Sequence, residues 1–193
     1  MLCDDLPRAV RAGRKRYKLD LSYDTVLYAC SEQLGLLEGH KTELALRLLV
    51  CGQLPRGREK RERLREAIFA LLSGDDAAPR SQQKVFDIDQ DAEAIRASFL
   101  QAYGINLDAQ RGKLHYLRFI TLLSSLPDDT IMSRIIDIRS RPMPRPTKGN
   151  AKERAQLARL KQTYRLKHTG SQLDTLSAGI NRLFDALKAK AGE

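Results

Sequence analysis

Apolar residues recur at helical spacing along most of the chain, and the clearest pattern lies in residues 86–127. Ile88, Ala92, Ile95, Phe99 and Ala102/Tyr103 fall on one helical face. Asp87 is placed to accept a backbone N–H two or three positions on, and Asp89, Asp91 and Glu93 complement the positive helix end. Gly104 suits the left-handed residue just past the helix, with Ile105 folding back onto Leu100. A second stripe follows at Leu114, Leu117, Ile120 or Thr121, and Leu123/Ser124, thickened by Tyr116 and Phe119 and closed by Leu126 before Pro127. The pattern predicts two antiparallel helices joined by a loop at 106–112.

Residues 6–21 alternate with period two around Ala12-Gly13, which predicts a short β-hairpin resting on the helices that follow. Its many Arg and Lys residues read first as a solvated edge and second as a contact for phosphate or acidic protein. A first helix is expected over 24–37, with Ser22 or Asp24 as cap and Val26, Leu27, Cys30, Leu34 and Leu37 inward. Residues 41–53 are apolar nearly all round, which predicts the helix at the centre of the core. Residues 58–72 alternate in sign before an apolar end, an exposed helix with a Glu59–Arg63 pair, and 73–83 read as a polar loop. After Pro127, Asp128 or Asp129 is the expected cap of a helix carrying Ile131, Met132, Ile135, Ile136 and Ile138. The proline-rich stretch 141–150 predicts an extended linker, followed by a basic helix over 151–167. Leu173, Leu176, Ile180, Leu183, Phe184 and Leu187 then form an amphipathic docking face.

The fold class is therefore mainly α: a compact bundle of about six helices with a short N-terminal β-hairpin and a C-terminal helical extension. Residues 1–140 form the hairpin and helical core, 141–150 the linker, and 151–193 the basic and amphipathic helices. The length of 193 residues suits one core, and no apolar run approaches the roughly 20 residues of a membrane span. No signal-peptide pattern follows Met1, so a cytosolic protein is expected. Cys3, Cys30 and Cys51 lack CxxC spacing and read as small hydrophobes, two of them on apolar helical faces. The formal charge is +10, and residues 139–170 hold ten Lys/Arg against Glu153 alone, which concentrates the excess in one segment. Within it, Arg154, Arg159, Lys161, Arg165 and Lys167 form a candidate basic patch.

Known chemistry is not signalled. Asp87, Asp89 and Asp91 have the first three spacings of a calcium loop, but Ala92 and Ser98 stand where that loop needs Gly and Glu. His40, His115 and His168 are isolated from one another and from cysteine. Phosphate-loop, dinucleotide, nucleophile-elbow and zinc-helix motifs are absent from the sequence. A non-enzyme without cofactor or metal is expected.

The chain resembles a family of small proteins of tailed bacteriophages and prophages, encoded beside the tape-measure gene and regarded as tail assembly chaperones. The likeness lies in LPxxVxxxGxxYxL and TVL over 6–27, FDxxQDAExIxxSFLQxYGIxL over 86–107, YLxFxxLLxSLPxDT over 116–130, IxxIRSRxxP over 135–144, and a basic segment ending near Tyr164. Its signature residues here include Phe86, Asp87, Asp91, Phe99, Tyr103, Gly104, Ile105, Tyr116, Leu117, Phe119 and Pro127. The family often has a tryptophan pair where this chain has Leu117, Arg118 and Phe119, and residues 170–193 extend past where relatives usually stop. The resemblance implies a chaperone that binds the tape-measure protein, keeps it soluble and helps tail-tube protein assemble around it. It would act in the host cytoplasm, without a membrane, and be absent from the mature virion; homo-oligomerisation stays open. The client surface is then expected on the basic helix and on Leu173–Leu187. The competing expectation is a nucleic-acid-binding adapter using the basic patch. A third is that the last helix completes the protein's own core.

Overall fold

The computed structural model describes residues 5–30, 41–73 and 85–167. Strands β1 (Ala9–Ala12) and β2 (Lys15–Lys18) pair antiparallel with Val10 opposite Tyr17 and Arg11 opposite Arg16. Gly13 takes φ +63° at the first of the two turn positions, a conformation that side chains with a Cβ resist. The period-two pattern continues past β2, so Tyr17, Leu19 and Leu21 all enter the core. Asp20 then organises the entry to helix α1 (Tyr23–Cys30): its carboxylate accepts the Ser22 amide at 3.0 Å and the Ser22 hydroxyl at 2.8 Å. The expected Asp24 instead reaches across to the Gly112 amide at 2.9 Å.

Helix α2 (Lys41–Leu49) differs from expectation. It buries Leu46 and Leu49 but exposes Arg47 and Leu48, so it covers the core from one side. The apolar run looked all-round because its last residues are not helical. Val50 leaves the helix to bridge Leu19, the Cys51 amide bonds the Lys18 carbonyl, and Cys51 itself is exposed. Helix α3 (Arg58–Ser73) packs on β1 through Leu64, Ile68 and Leu72, with Glu59–Arg63 paired on its outer face at 2.6 Å.

The centre of the core is an aromatic column built by helices α4 (Ala92–Tyr103) and α5 (Tyr116–Ser124) against α1. The rings of Tyr23 and Phe119 stack at 5.0 Å, Phe119 and Phe99 at 5.3 Å, and Tyr103 meets Phe99 edge-on at 5.7 Å. Tyr23 and Tyr103 keep their hydroxyls paired, donating to the Leu107 and Leu122 carbonyls. Gly104 ends α4 at φ +64°, its amide bonding Leu100 and that of Ile105 bonding Phe99, while the Leu100 side chain stays exposed. The loop holds one 3-10 turn at Asp108–Gln110. His115 opens α5 by accepting the Leu117 amide at Nδ1, with Nε2 2.9 Å from the Pro7 carbonyl, so the Nε2–H tautomer satisfies both contacts.

Helix α6 (Ile131–Ser140) is capped by Thr130, not by Asp128 or Asp129. The fully buried Thr130 hydroxyl donates to the Pro127 carbonyl at 2.8 Å and accepts the Ser133 amide. Helix α4 packs more extensively on α6 than on α5, through Met132 and Ile136. The buried Ser98 hydroxyl of α4 accepts the Met132 amide at 3.0 Å, satisfying a donor at the α6 start. Residues 142–147 have no regular structure, a turn closes over 147–150 with the Thr147 amide on the Asn150 side chain at 2.9 Å, and helix α7 (Ala151–Thr163) follows and packs on α6. The fold is mainly α after the N-terminal hairpin, with seven α-helices among the described residues. The continuation of the first helix through Leu34 and Leu37, residues 74–83 of the expected loop, and Leu173–Leu187 lie outside the described residues.

Candidate partner-binding surface

The basic segment is held by one buried residue, Arg139, at the end of α6. Its guanidinium grips Asp91 with both arms, Nη1 to Oδ2 at 2.6 Å and Nη2 to Oδ1 at 2.8 Å, and the two side chains are only 7% and 5% exposed. Two further donors are used: Nε bonds the Tyr164 carbonyl at 2.6 Å, and Nη1 also reaches the Val85 carbonyl at 3.1 Å. Asp91 Oδ2 accepts the Asp87 amide at 2.9 Å. Burying two charges is costly unless the pair is well aligned and its spare donors and acceptors find partners, and here five hydrogen bonds, engaging four of the five guanidinium N–H groups, offset that cost. The contact joins the entry to α4, the end of α6 and the end of α7.

Further contacts fix the same corner. Lys161 Nζ donates to the Arg139 carbonyl at 2.8 Å. The Gln90 side chain brackets the chain beyond α7, donating to the Arg165 carbonyl at 3.0 Å and accepting the Lys167 amide at 2.9 Å. Arg154 Nη1 turns back to the Pro144 carbonyl. The expected basic patch therefore divides: Arg154 and Lys161 bind backbone carbonyls of the protein itself, while Arg159, Arg165 and Lys167 face outward. Leu157 is the residue by which α7 enters the interior.

The three aspartates of the calcium-like spacing have divergent roles. Asp87 Oδ1 accepts the amides of Asp89 and Gln90, two and three positions on as expected, but this closes a turn ahead of α4. Asp91 faces Arg139. Among the described residues no group of three His, Cys, Asp or Glu side chains is placed to hold a metal ion. The other signature residues are structural: Phe86, Phe99, Tyr116 and Phe119 are buried, Leu117 and Ile105 pack on the core, and exposed Pro127 supplies the carbonyl that Thr130 binds. Burial raises the pKa of Tyr116, Tyr23 and Tyr103, so these phenols stay neutral well into the alkaline range.

Between α1 and the start of α4 lies an open cleft of about 390 Å³. Leu27, Ile88, Ile95, Leu107 and Phe119 supply its apolar lining, and Asp24, Arg96 and Arg111 contribute charged positions. Such a cleft suits apolar side chains of a partner.

The family model described as Bacteriophage Gp15 protein matches residues 2–166. The chain belongs to that family. The match runs from the hairpin through α7 and ends at the turn that Gln90 brackets, so all of this Gp15-family fold described above lies within it, up to one residue. No curated protein and no solved structure matches the chain. Among the described residues, no helix is long and apolar enough to cross a membrane.

The Asp91–Arg139 pair was missed in the sequence although a signal was there. Met132, Ile135, Ile136 and Arg139 follow the i, i+3, i+4, i+7 spacing, and Ile88, Asp91, Ile95 and Ser98/Phe99, leading into α4, follow i, i+3, i+7 and i+10/i+11. A charge inside an apolar stripe calls for a buried opposite charge, and each stripe carries one.

Proposed function

We propose that this bacteriophage protein is a non-catalytic tail assembly chaperone, binding the tape-measure protein and promoting tail-tube assembly around it in the host cytoplasm. Membership of a bacteriophage family and the resemblance carried by 86–107 and 116–130 support the reading. The observation that carries the placement is the fixed end of the basic segment. Gln90 and Arg139 bond backbone groups of Tyr164, Arg165 and Lys167, so the chain leaves α7 from a fixed point with the Arg165 and Lys167 side chains exposed, just before the apolar positions Leu173–Leu187. A client helix with an apolar stripe and acidic flanks fits this combination of apolar and cationic surface.

The experiment is co-expression with the tape-measure protein of the same phage, followed by co-purification. Removing residues 168–193 leaves α7 and the Arg139 contacts intact and is expected to abolish capture. Removing 141–193 also strips Lys161 and Tyr164 from Arg139, so it is the poorer variant. Undiminished capture by the 1–167 chain overturns the placement. The second reading is the nucleic-acid adapter: Arg141, Arg145, Lys148, Lys152, Arg159, Arg165 and Lys167 are exposed along this segment, and an affinity for nucleic acid that falls steeply with salt would favour it over the chaperone.

A further inference from the structure

Among the described residues, several arginines outside the hairpin are paired with carboxylates, whereas none of the hairpin's is. On α3, Arg63 meets Glu59 at 2.6 Å and Arg65 meets Glu62 at 2.7 Å; Arg61 meets Glu43 at 2.8 Å, and Arg111 meets Asp108 at 2.7 Å. None of the ion pairs among the described residues involves Arg8, Arg11, Arg14, Lys15, Arg16 or Lys18. The register sharpens the contrast. Val10 and Tyr17 face one another on the inner side, so Arg11 and Arg16 are directly opposed on the outer side, with Lys18 one pair along and Arg14 in the turn, all four exposed. Directly opposed residues of an antiparallel ladder stand about 5 Å apart at Cβ, and like charges there destabilise the pairing. An edge guarded against aggregation needs charge, but it does not need arginine facing arginine.

We propose that the outer face of this hairpin is a docking surface for an acidic segment of a partner protein, whose carboxylates bridge Arg11 and Arg16. Two guanidiniums side by side offer planar forks that match carboxylates in two-bond geometry, and Arg14 and Lys18 extend the cationic strip at either end. The strip is short, four residues per strand or about 13 Å. Helix α3, packed on β1, exposes Arg58, Lys60, Arg63 and Arg65 beside Glu59 and Glu66, so the cationic strip itself is confined to the ribbon. The strip's length matches about four residues of an extended acidic polypeptide segment lying along the strands, whereas it offers a duplex only a few phosphate contacts. This surface is separate from α7 and the cleft, so it stands or falls independently of the placement proposed for residues 168–193.

The test uses the full chain, a fluorescent oligoglutamate as probe and a short DNA duplex as competitor. The wild-type protein is expected to bind oligoglutamate with an affinity that falls with salt. Arg11→Ser/Arg16→Ser should weaken that binding about tenfold or more, while its melting temperature stays level or rises because the like-charge pair is gone. Arg63→Ser/Arg65→Ser, which removes the same charge from paired arginines of α3, should leave it unchanged. Absence of binding by the wild type, binding indifferent to Arg11 and Arg16, loss on the α3 variant instead, or a duplex that displaces oligoglutamate and itself needs Arg11 and Arg16 would each overturn the proposal.

Discussion

Glu59–Arg63 on α3 and Asp91–Arg139 between α4 and α6 share a 2.6 Å contact, yet they do different work. The first sits on a helix surface with its side chains 79% and 67% exposed, and water screens it. The second is all but sealed from solvent and joins segments 48 residues apart. Ion-pair distance therefore says little about what a pair contributes. Burial, and the number of remaining donors and acceptors that are filled, decide it.

Breaking the buried pair gives the largest expected effect. Arg139→Met leaves Asp91 charged and uncompensated and should cost about 3–5 kcal/mol in chemical denaturation. The double variant Asp91→Asn/Arg139→Met removes the orphaned charge and should be the more stable of the two. Equal stability of single and double variants would show that Asp91 finds another partner. Next is Ser98→Ala, which strips the Met132 amide of its buried acceptor and should cost about 1–3 kcal/mol with no change in net charge.

The tyrosines set an alkaline limit. A phenol whose pKa is raised in the fold stabilises it fully below the unfolded value of about 10, and that contribution is lost as pH rises beyond it, because the unfolded chain ionises first. Stability should therefore fall above about pH 10, and Tyr116→Phe should reduce that fall more than Tyr103→Phe, since Tyr116 is the more deeply buried. The smallest effect belongs to the surface pair: Glu59→Gln should change stability by less than about 0.5 kcal/mol, and less still in high salt.

Local pattern carried much of the fold into view from the sequence. The hairpin with its Gly13 turn, the stripes of α4 and α5, and the Gly104 stop all depend on residues a few positions apart, where periodicity and backbone preference act. What escaped depends on distant partners. Residues 41–53 read as a helix apolar nearly all round because nothing local reveals that Val50 leaves to pair with Leu19. Asp128 or Asp129 read as the cap, and only the structure shows the Thr130 hydroxyl in that place, bonded to the Pro127 carbonyl. The basic patch read as one surface because charge counts do not distinguish Lys161 on the Arg139 carbonyl from Arg159 in solvent. Partner identity is less legible still, resting on resemblance and not on any side-chain chemistry within the fold.

The central structural claim is that α7 is docked on α6 and locked there by Arg139, so that the segment beyond it starts from a fixed point. Hydrogen exchange on the full chain tests this most directly. The α7 amides from Leu157 to Thr163 should be protected to nearly the level of α6 in the wild type, and that protection should be lost from α7 well before α4 or α5 in Arg139→Met. Exchange of those amides at unfolded-chain rates in the wild-type protein would contradict the account.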